Sequence, residues 1–204
     1  MSIALCGAHR VGKSTIAKTF SEETGIPYIE STVNLVGKEL GLNVNADLSF
    51  DDRMFLQEHV LKDHIKNITA ITGPFITDRS PIDFAAYALG TLGLKSFGNS
   101  DQDKRLMCYI DECILATNRM FSLIVLVQPG IAYIDEEGKP NSSSAYQELI
   151  HNLCSSWVHD DRIKMTCFKM SRVLVDPIDR VNAVKHLWGN IVEESMSNRP
   201  KILH

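Results

Sequence analysis

The chain has little to offer a polyanion. Its 204 residues carry 21 lysines and arginines against 25 aspartates and glutamates, a formal net charge of -4. That balance disfavours a general DNA or RNA binder and leaves only a local basic groove open. Cysteine is sparse and scattered: Cys6, Cys108, Cys113, Cys154 and Cys167 include no pair at the close spacing of zinc sites or redox motifs, so reduced thiols are expected. No apolar stretch is long enough to span a bilayer, and no basic leader precedes Met1 to Ile3. A cytoplasmic protein without a membrane partner is the expectation. There is no internal repeat or low-complexity tract, no guanine-reading Asn-Lys-x-Asp run, and no apolar strand ending in Asp-Glu as larger ATPases carry.

What is present suits a folded globular protein. Forty-four per cent of residues are hydrophobic and 23 per cent charged, enough for a sizeable core and too apolar for disorder. The length fits one α/β domain over residues 1–204.

Apolar runs and helical periodicity alternate along the chain. Ser2 to Cys6 reads as a strand stopped by Gly7, and Lys13 to Thr24 as a helix closed by Gly25. Ile26 to Ile29 is a brief second strand that leaves Glu30 at its carboxyl end. Thr32 to Leu40 and Phe50 to Ile71 carry helical spacing. Phe75 to Thr77, opened by Gly73-Pro74, is a buried strand delivering Asp78-Arg79-Ser80. Pro81 suits the first turn of a helix running to Leu92. Asp101 to Met120 is a further helix, Leu123 to Val127 the most strand-like run, Ala145 to Val158 a helix, Ile163 to Met170 a fifth strand, and Pro177 to Glu194 a final helix. Strands that are apolar throughout, separated by helices, predict a three-layer sandwich: a five-stranded parallel sheet flanked by helices. The loop-like stretch 129–145 is the candidate lid.

The sharpest signal is Gly7-Ala8-His9-Arg10-Val11-Gly12-Lys13-Ser14. It matches G-x-x-x-x-G-K-[ST] and lies between a predicted strand and a predicted helix, the context that gives the match meaning. Gly7 and Gly12 allow backbone angles that turn successive N–H groups onto an anion, and the following helix aims its positive end at the same point. Lys13 can reach the outer phosphates, the Ser14 hydroxyl can ligate magnesium, and Thr15 adds a further small polar group. Asp78 would emerge at the same sheet edge, where a carboxylate can hold magnesium directly or through water, beside an Arg79 able to fork onto a phosphate. The alternative is a helix cap at Asp78 or Ser80 with a surface arginine. Glu30, at the end of the second strand, can accept a proton from an attacking hydroxyl within reach; equally it reads as a solvated acid or a cap near Ser31 and Thr32.

On the phosphate loop together with Thr77-Asp78-Arg79-Ser80, the chain resembles the P-loop kinase superfamily over most of its length, in particular small nucleoside and nucleotide kinases and phage-type members. The resemblance implies the P-loop NTPase fold, ATP and Mg2+ as cofactors, a nucleoside- or nucleotide-like acceptor, and a homodimer. It gives Glu30 the place of the catalytic glutamate of deoxynucleoside kinases, and Asp78-Arg79 that of their acidic-arginine pair. The expected catalytic set is therefore Lys13, Glu30, Asp78 and Arg79, with Ser14 and Asp78 toward the metal. A variant acceptor is a hydroxymethylated base in DNA such as 5-hydroxymethyluracil, which would need a basic groove and an extruded base. A nucleotide-hydrolysing switch with no small acceptor is the competing class.

Arg53, His59 and His64 would border an acceptor pocket in such kinases or be plain surface residues. Phe84 and Tyr87 share a helical face that could stack on a base or pack in the core. Asp176-Pro177 is either an adenine-contacting loop by resemblance or a helix start. Between Gln128 and Ser144 there is no arginine and Lys139 is the only cation, a departure from the arginine-rich lids of monophosphate kinases.

Overall fold

Ser2–Cys6 (β1) is buried along its whole length and forms the middle of the sheet. In the computed structural model, which describes residues 1–131 and 143–197, it is flanked by Phe75–Thr77 (β3) and Leu123–Val127 (β4), both parallel to it. Tyr28–Ile29 (β2) pairs with β3 on one edge and Thr166–Met170 (β5) with β4 on the other, giving the order β2-β3-β1-β4-β5. The three inner strands are buried throughout while β5 is exposed at alternate and adjacent positions. Predominantly apolar sequence thus marks strands covered on both faces, and mixed sequence marks an edge.

The helices among the described residues are Lys13–Thr24 (α1), Val33–Glu39 (α2), Phe50–Thr69 (α3), Pro81–Leu92 (α4), Ser100–Met120 (α5), Ser144–Trp157 (α6) and Pro177–Ser197 (α7). Their starts follow local chemistry. Ser49, Asn99 and Ser143 each accept a hydrogen bond from an N–H of the first turn they precede, and Ser80 closes a capping box with Asp83 behind Pro81. Such caps contribute about 1 kcal/mol each. Helix α1 packs on α7 and against β1, β2 and β3, while α4 packs on α3, α5 and α6, so the helices sandwich the sheet. The second and fifth strands are shorter than the apolar runs suggest, beginning at Tyr28 and Thr166 rather than Ile26 and Ile163. Pro27 offers no N–H to a ladder, although its carbonyl accepts from Ile76 N at 3.0 Å. The expected lid falls largely on 132–142, outside the described residues.

One core residue makes stability depend on pH. His64 is 4% exposed, edge-on to Phe84 at 5.1 Å, and its Nε2 is buried without a hydrogen-bond partner among the described residues. Burial holds it neutral, lowering its pKa from 6.5 to about 4, against the opposing pull of Asp83, Asp78 and Asp63. Between those values the unfolded chain takes up a proton that the folded chain refuses, so stability falls as pH drops through the window, by about 3 kcal/mol in all. Replacing the ring with an apolar side chain of similar size removes this dependence. Urea midpoints at pH 7 and pH 4.5 should therefore converge in His64→Leu relative to the wild type; equal acid sensitivity in both proteins would contradict the assignment.

Candidate functional site

Parallel strands end together, and the polar residues singled out in the sequence meet along that edge. The chain leaves β1 through Gly7, whose φ of 141° and close approach to β4 admit no side chain: a Cβ there would lie 2.5 Å from the Val127 carbonyl oxygen. The loop then passes through a left-handed Arg10 (φ 57°) and a left-handed Gly12 (φ 86°) before α1 begins. Arg10 is the only non-glycine residue with positive φ among the described residues. Its conformation costs about 1 kcal/mol, and turns that pass through left-handed residues are the kind that can gather N–H groups into an anion-binding nest.

Lys13, 6% exposed, bends back over the loop it follows. Its Nζ donates to the carbonyls of Gly7 at 2.7 Å and Ala8 at 2.5 Å. Burial, with the nearby Arg79 charge, lowers its pKa to about 8. Ser14 lies one residue on and donates its hydroxyl to Asp78 Oδ2, while Asp78 Oδ1 accepts the Ser31 N–H at 3.1 Å. Asp78 therefore ties three elements together: the start of α1, the end of β3 and the segment after β2. It is not a helix cap. Ser80 takes that role, accepting from Asp83 N at 3.3 Å.

Arg79 stands beside this group with its guanidinium 5.1 Å from the centre of the Tyr87 ring and 3.8 Å from Asp83 Oδ1. Glu30 follows the last paired residue of β2, and because Ile29 is level with Thr77, it leaves the sheet next to Asp78. Its side chain is exposed. Lys13, Ser14, Glu30, Asp78 and Arg79 are thus gathered at one sheet edge. The donors nearest one another, the Ser14 hydroxyl and the Asp78 carboxylate, are hard oxygens of the kind that suit magnesium, directly or through its water.

Other candidates do not join them. Phe84 is a core residue, 3% exposed and turned to His64, so it offers no face to a base. His59 bonds the Phe55 carbonyl at 2.8 Å. Arg53 donates to the carbonyls of Val44 at 2.8 Å and Ala46 at 2.6 Å, fastening the loop ahead of α3. Asp176 caps α7, accepting from Ile178 N at 2.8 Å and Asp179 N at 3.1 Å, which is the helix-start reading of Asp176-Pro177.

Four residues that pattern reasoning passed over, Asp83, Arg180, Gln147 and Tyr146, shape the site together with Tyr87, which it had singled out. Asp83, fully buried, accepts the Gly7 N–H at 2.9 Å through Oδ1 and Ser80 N at 2.9 Å through Oδ2, binding the first turn of α4 to the first residue of the loop. Arg180 of α7 donates to the Val11 carbonyl at 2.7 Å from behind. Gln147 of α6 donates to the His9 carbonyl at 2.8 Å, beside Tyr146, whose ring stacks on His9 with centroids 5.6 Å apart. Tyr87 completes this cluster with its hydroxyl 3.2 Å from His9 Nδ1. Burial and the charges of Lys13, Arg79 and Arg10 lower the His9 pKa to about 4, so the ring is neutral near pH 7. Ser80-x-x-Asp83 is legible as a capping box; the carboxylate's second partner, 76 residues away, is not.

A family model described as an AAA domain matches residues 2–170. No curated protein matches the chain. Among solved structures it is similar to deoxyadenosine kinase from M. mycoides with the products dCMP and a flexible dCDP bound, at a TM-score of 0.65 and 17% identity over 94% of this chain and 100% of that one. The same enzyme with bound dATP gives 0.68 and 14% over 93% and 100%, and with bound dCTP 0.65 and 14% over 93% and 100%. At such identities the likeness is one of architecture: a P-loop kinase fold. No helix among the described residues is long and apolar enough to cross a membrane.

Proposed function

From the premise that this chain belongs to the AAA-domain family, we propose that it transfers the terminal phosphoryl group of a magnesium-bound nucleoside triphosphate, ATP, to a hydroxyl of a nucleoside- or nucleotide-like acceptor. The observation that carries this reading is the bond from Ser14 to Asp78, made one residue beyond Lys13 and one strand away from Glu30. Phosphoryl transfer requires little covalent work from the protein, so catalysis consists of positioning and charge neutralisation.

The residues divide that work. Loop N–H groups after Gly7, whose own N–H is held by Asp83, through Thr15 and the positive end of α1 receive the phosphates. Lys13, now satisfied by two loop carbonyls, turns outward to the β- and γ-phosphoryl oxygens. Ser14 and Asp78 would hold magnesium, whose charge offsets that of the polyphosphate. Arg79 is kept rigid by Tyr87 and Asp83 and grips the acceptor or the moving phosphoryl group. Glu30 orients the acceptor hydroxyl and takes its proton. Ile131 lies against Gly12, and Val173, Val175 and Ile178, which follow the Arg172 whose carbonyl Gly130 abuts, leave apolar side chains exposed. That rim suits the flat base of the triphosphate.

The architectural likeness to a deoxyadenosine kinase supports a nucleoside acceptor over a base within DNA, as does the net charge of -4. The test is incubation of the purified protein with γ-labelled ATP and Mg2+ against separate pools of nucleosides, nucleoside monophosphates and duplex DNA containing 5-hydroxymethyluracil. Label should pass to the nucleoside pool. Label on the DNA alone would move the assignment to the modified base, and hydrolysis indifferent to every acceptor would replace the kinase by a nucleotide-hydrolysing switch.

A further inference from the structure

Tyr28 is the one aromatic residue of the second strand, and its hydroxyl is buried without a hydrogen-bond partner of good geometry among the described residues. A buried orphan hydroxyl costs about 1–3 kcal/mol relative to a paired one, so its persistence calls for a partner of another kind. The strand register says where it points. Tyr28 is level with Ile76 in the parallel pair, and side chains two apart on a strand share a face, which puts Tyr28 on the side of the sheet that Ile76 shares with Asp78. That is the side on which α1 presents Ser14 to Asp78. Tyr28 therefore presents a hydroxyl on the face of the sheet that holds the Ser14–Asp78 pair, able to donate one hydrogen bond and accept others.

We propose that Tyr28 positions the divalent cation that accompanies the triphosphate, its hydroxyl completing with Ser14 and Asp78 a three-sided oxygen frame for the cation's water. This deepens the phosphoryl-transfer reading above and rests on it. Asp78 already accepts from Ser14 and from the Ser31 N–H, and a carboxylate has about four lone-pair sites, so the remaining capacity faces the cation side. Magnesium sheds its waters reluctantly and is commonly held through them. A water between Asp78 and the cation needs a further neutral partner to fix its orientation, and the Tyr28 hydroxyl is a buried group on that face that lacks one.

The discriminating variant is Tyr28→Phe, which keeps the ring and removes the oxygen. Deleting an unpaired buried hydroxyl should leave the fold as stable as before or slightly more so, so a purely structural role predicts no functional loss. Titration calorimetry of a non-hydrolysable triphosphate, in EDTA and at graded Mg2+, separates the two. The expected result is unchanged affinity in EDTA, with the Mg2+ concentration for half-maximal enhancement raised about three- to tenfold, the worth of one hydrogen bond. Half-saturating Mg2+ for turnover should rise by the same factor. A folded variant with wild-type Mg2+ dependence overturns the proposal, and so does one whose affinity falls equally in both buffers. A wild type that binds the triphosphate in neither buffer overturns the phosphate-loop reading itself, a distinct outcome.

Discussion

Lys13→Met should leave the protein folded and lower phosphoryl transfer by about a thousandfold. The magnitude follows from what a single preorganised positive group contributes when charge develops in a site shielded from water. The fold should survive because Lys13 has no buried carboxylate as its direct partner; it donates to the Gly7 and Ala8 carbonyls, and methionine fills a similar volume without an ion to desolvate. A second signature belongs to the lysine alone. With its pKa lowered to about 8 by burial and Arg79, the ammonium is half deprotonated in the free protein near that pH. A polyphosphate favours the protonated form, so triphosphate affinity should decline as pH rises through 8, by up to about tenfold per unit. Calorimetry at pH 7, 8 and 9 reads this directly. The decline should vanish in Lys13→Met, and wild-type turnover in that variant would remove Lys13 from the mechanism.

The same lysine shows why the loop was legible from sequence and its supports were not. A glycine, four free positions, a second glycine, a lysine and a serine form a contiguous pattern, each member fixed by a backbone or charge requirement that can be stated before any fold is known. Likewise the three inner strands were found at their observed limits, Ser2–Cys6, Phe75–Thr77 and Leu123–Val127, because burial on both faces makes them predominantly apolar. The edge strands were overextended. Ile26 and Ile163 are apolar and yet lie outside the ladder, since hydrophobicity alone does not distinguish the end of a strand from the partly buried chain leading into it.

The supports depend on pairings distant in sequence. Asp83 reads locally as the third residue of a capping box, and its bond to Gly7 requires knowing that α4 starts against β1. Arg180 reads as one charge on an amphipathic helix, although it reaches the Val11 carbonyl 169 residues away. Phe84 and Tyr87 show the limit from the other side. One helical spacing placed both on a common face, but Phe84 turns into the core against His64 while Tyr87 reaches the loop cluster. Helical periodicity gives direction to within a fraction of a turn, and the boundary between core and cleft is narrower than that.

Glu30→Gln is expected to lower the rate of the chemical step by about a hundred- to ten-thousandfold, the range for a positioned acid or base, while triphosphate affinity stays within about twofold of wild type. The separation rests on where the residue stands. Glu30 is exposed beyond the last pair of β2, next to Asp78 across one strand spacing of about 4.8 Å and apart in sequence from the Gly7–Ser14 loop. Its backbone is not loose, because the Ser31 N–H that follows is held by Asp78 at 3.1 Å. An exposed carboxylate on a fixed backbone can reach an acceptor hydroxyl that enters from solvent, whereas a buried one would be bound to internal donors, as Asp83 is. Glutamine preserves the size and the hydrogen-bond acceptor but cannot take the proton, so orientation survives and chemistry slows. Single-turnover measurement with saturating acceptor isolates that step from binding. If triphosphate affinity collapsed instead while the bound complex turned over normally, Glu30 would belong to the phosphate site, and the proton would have to leave the acceptor by another route.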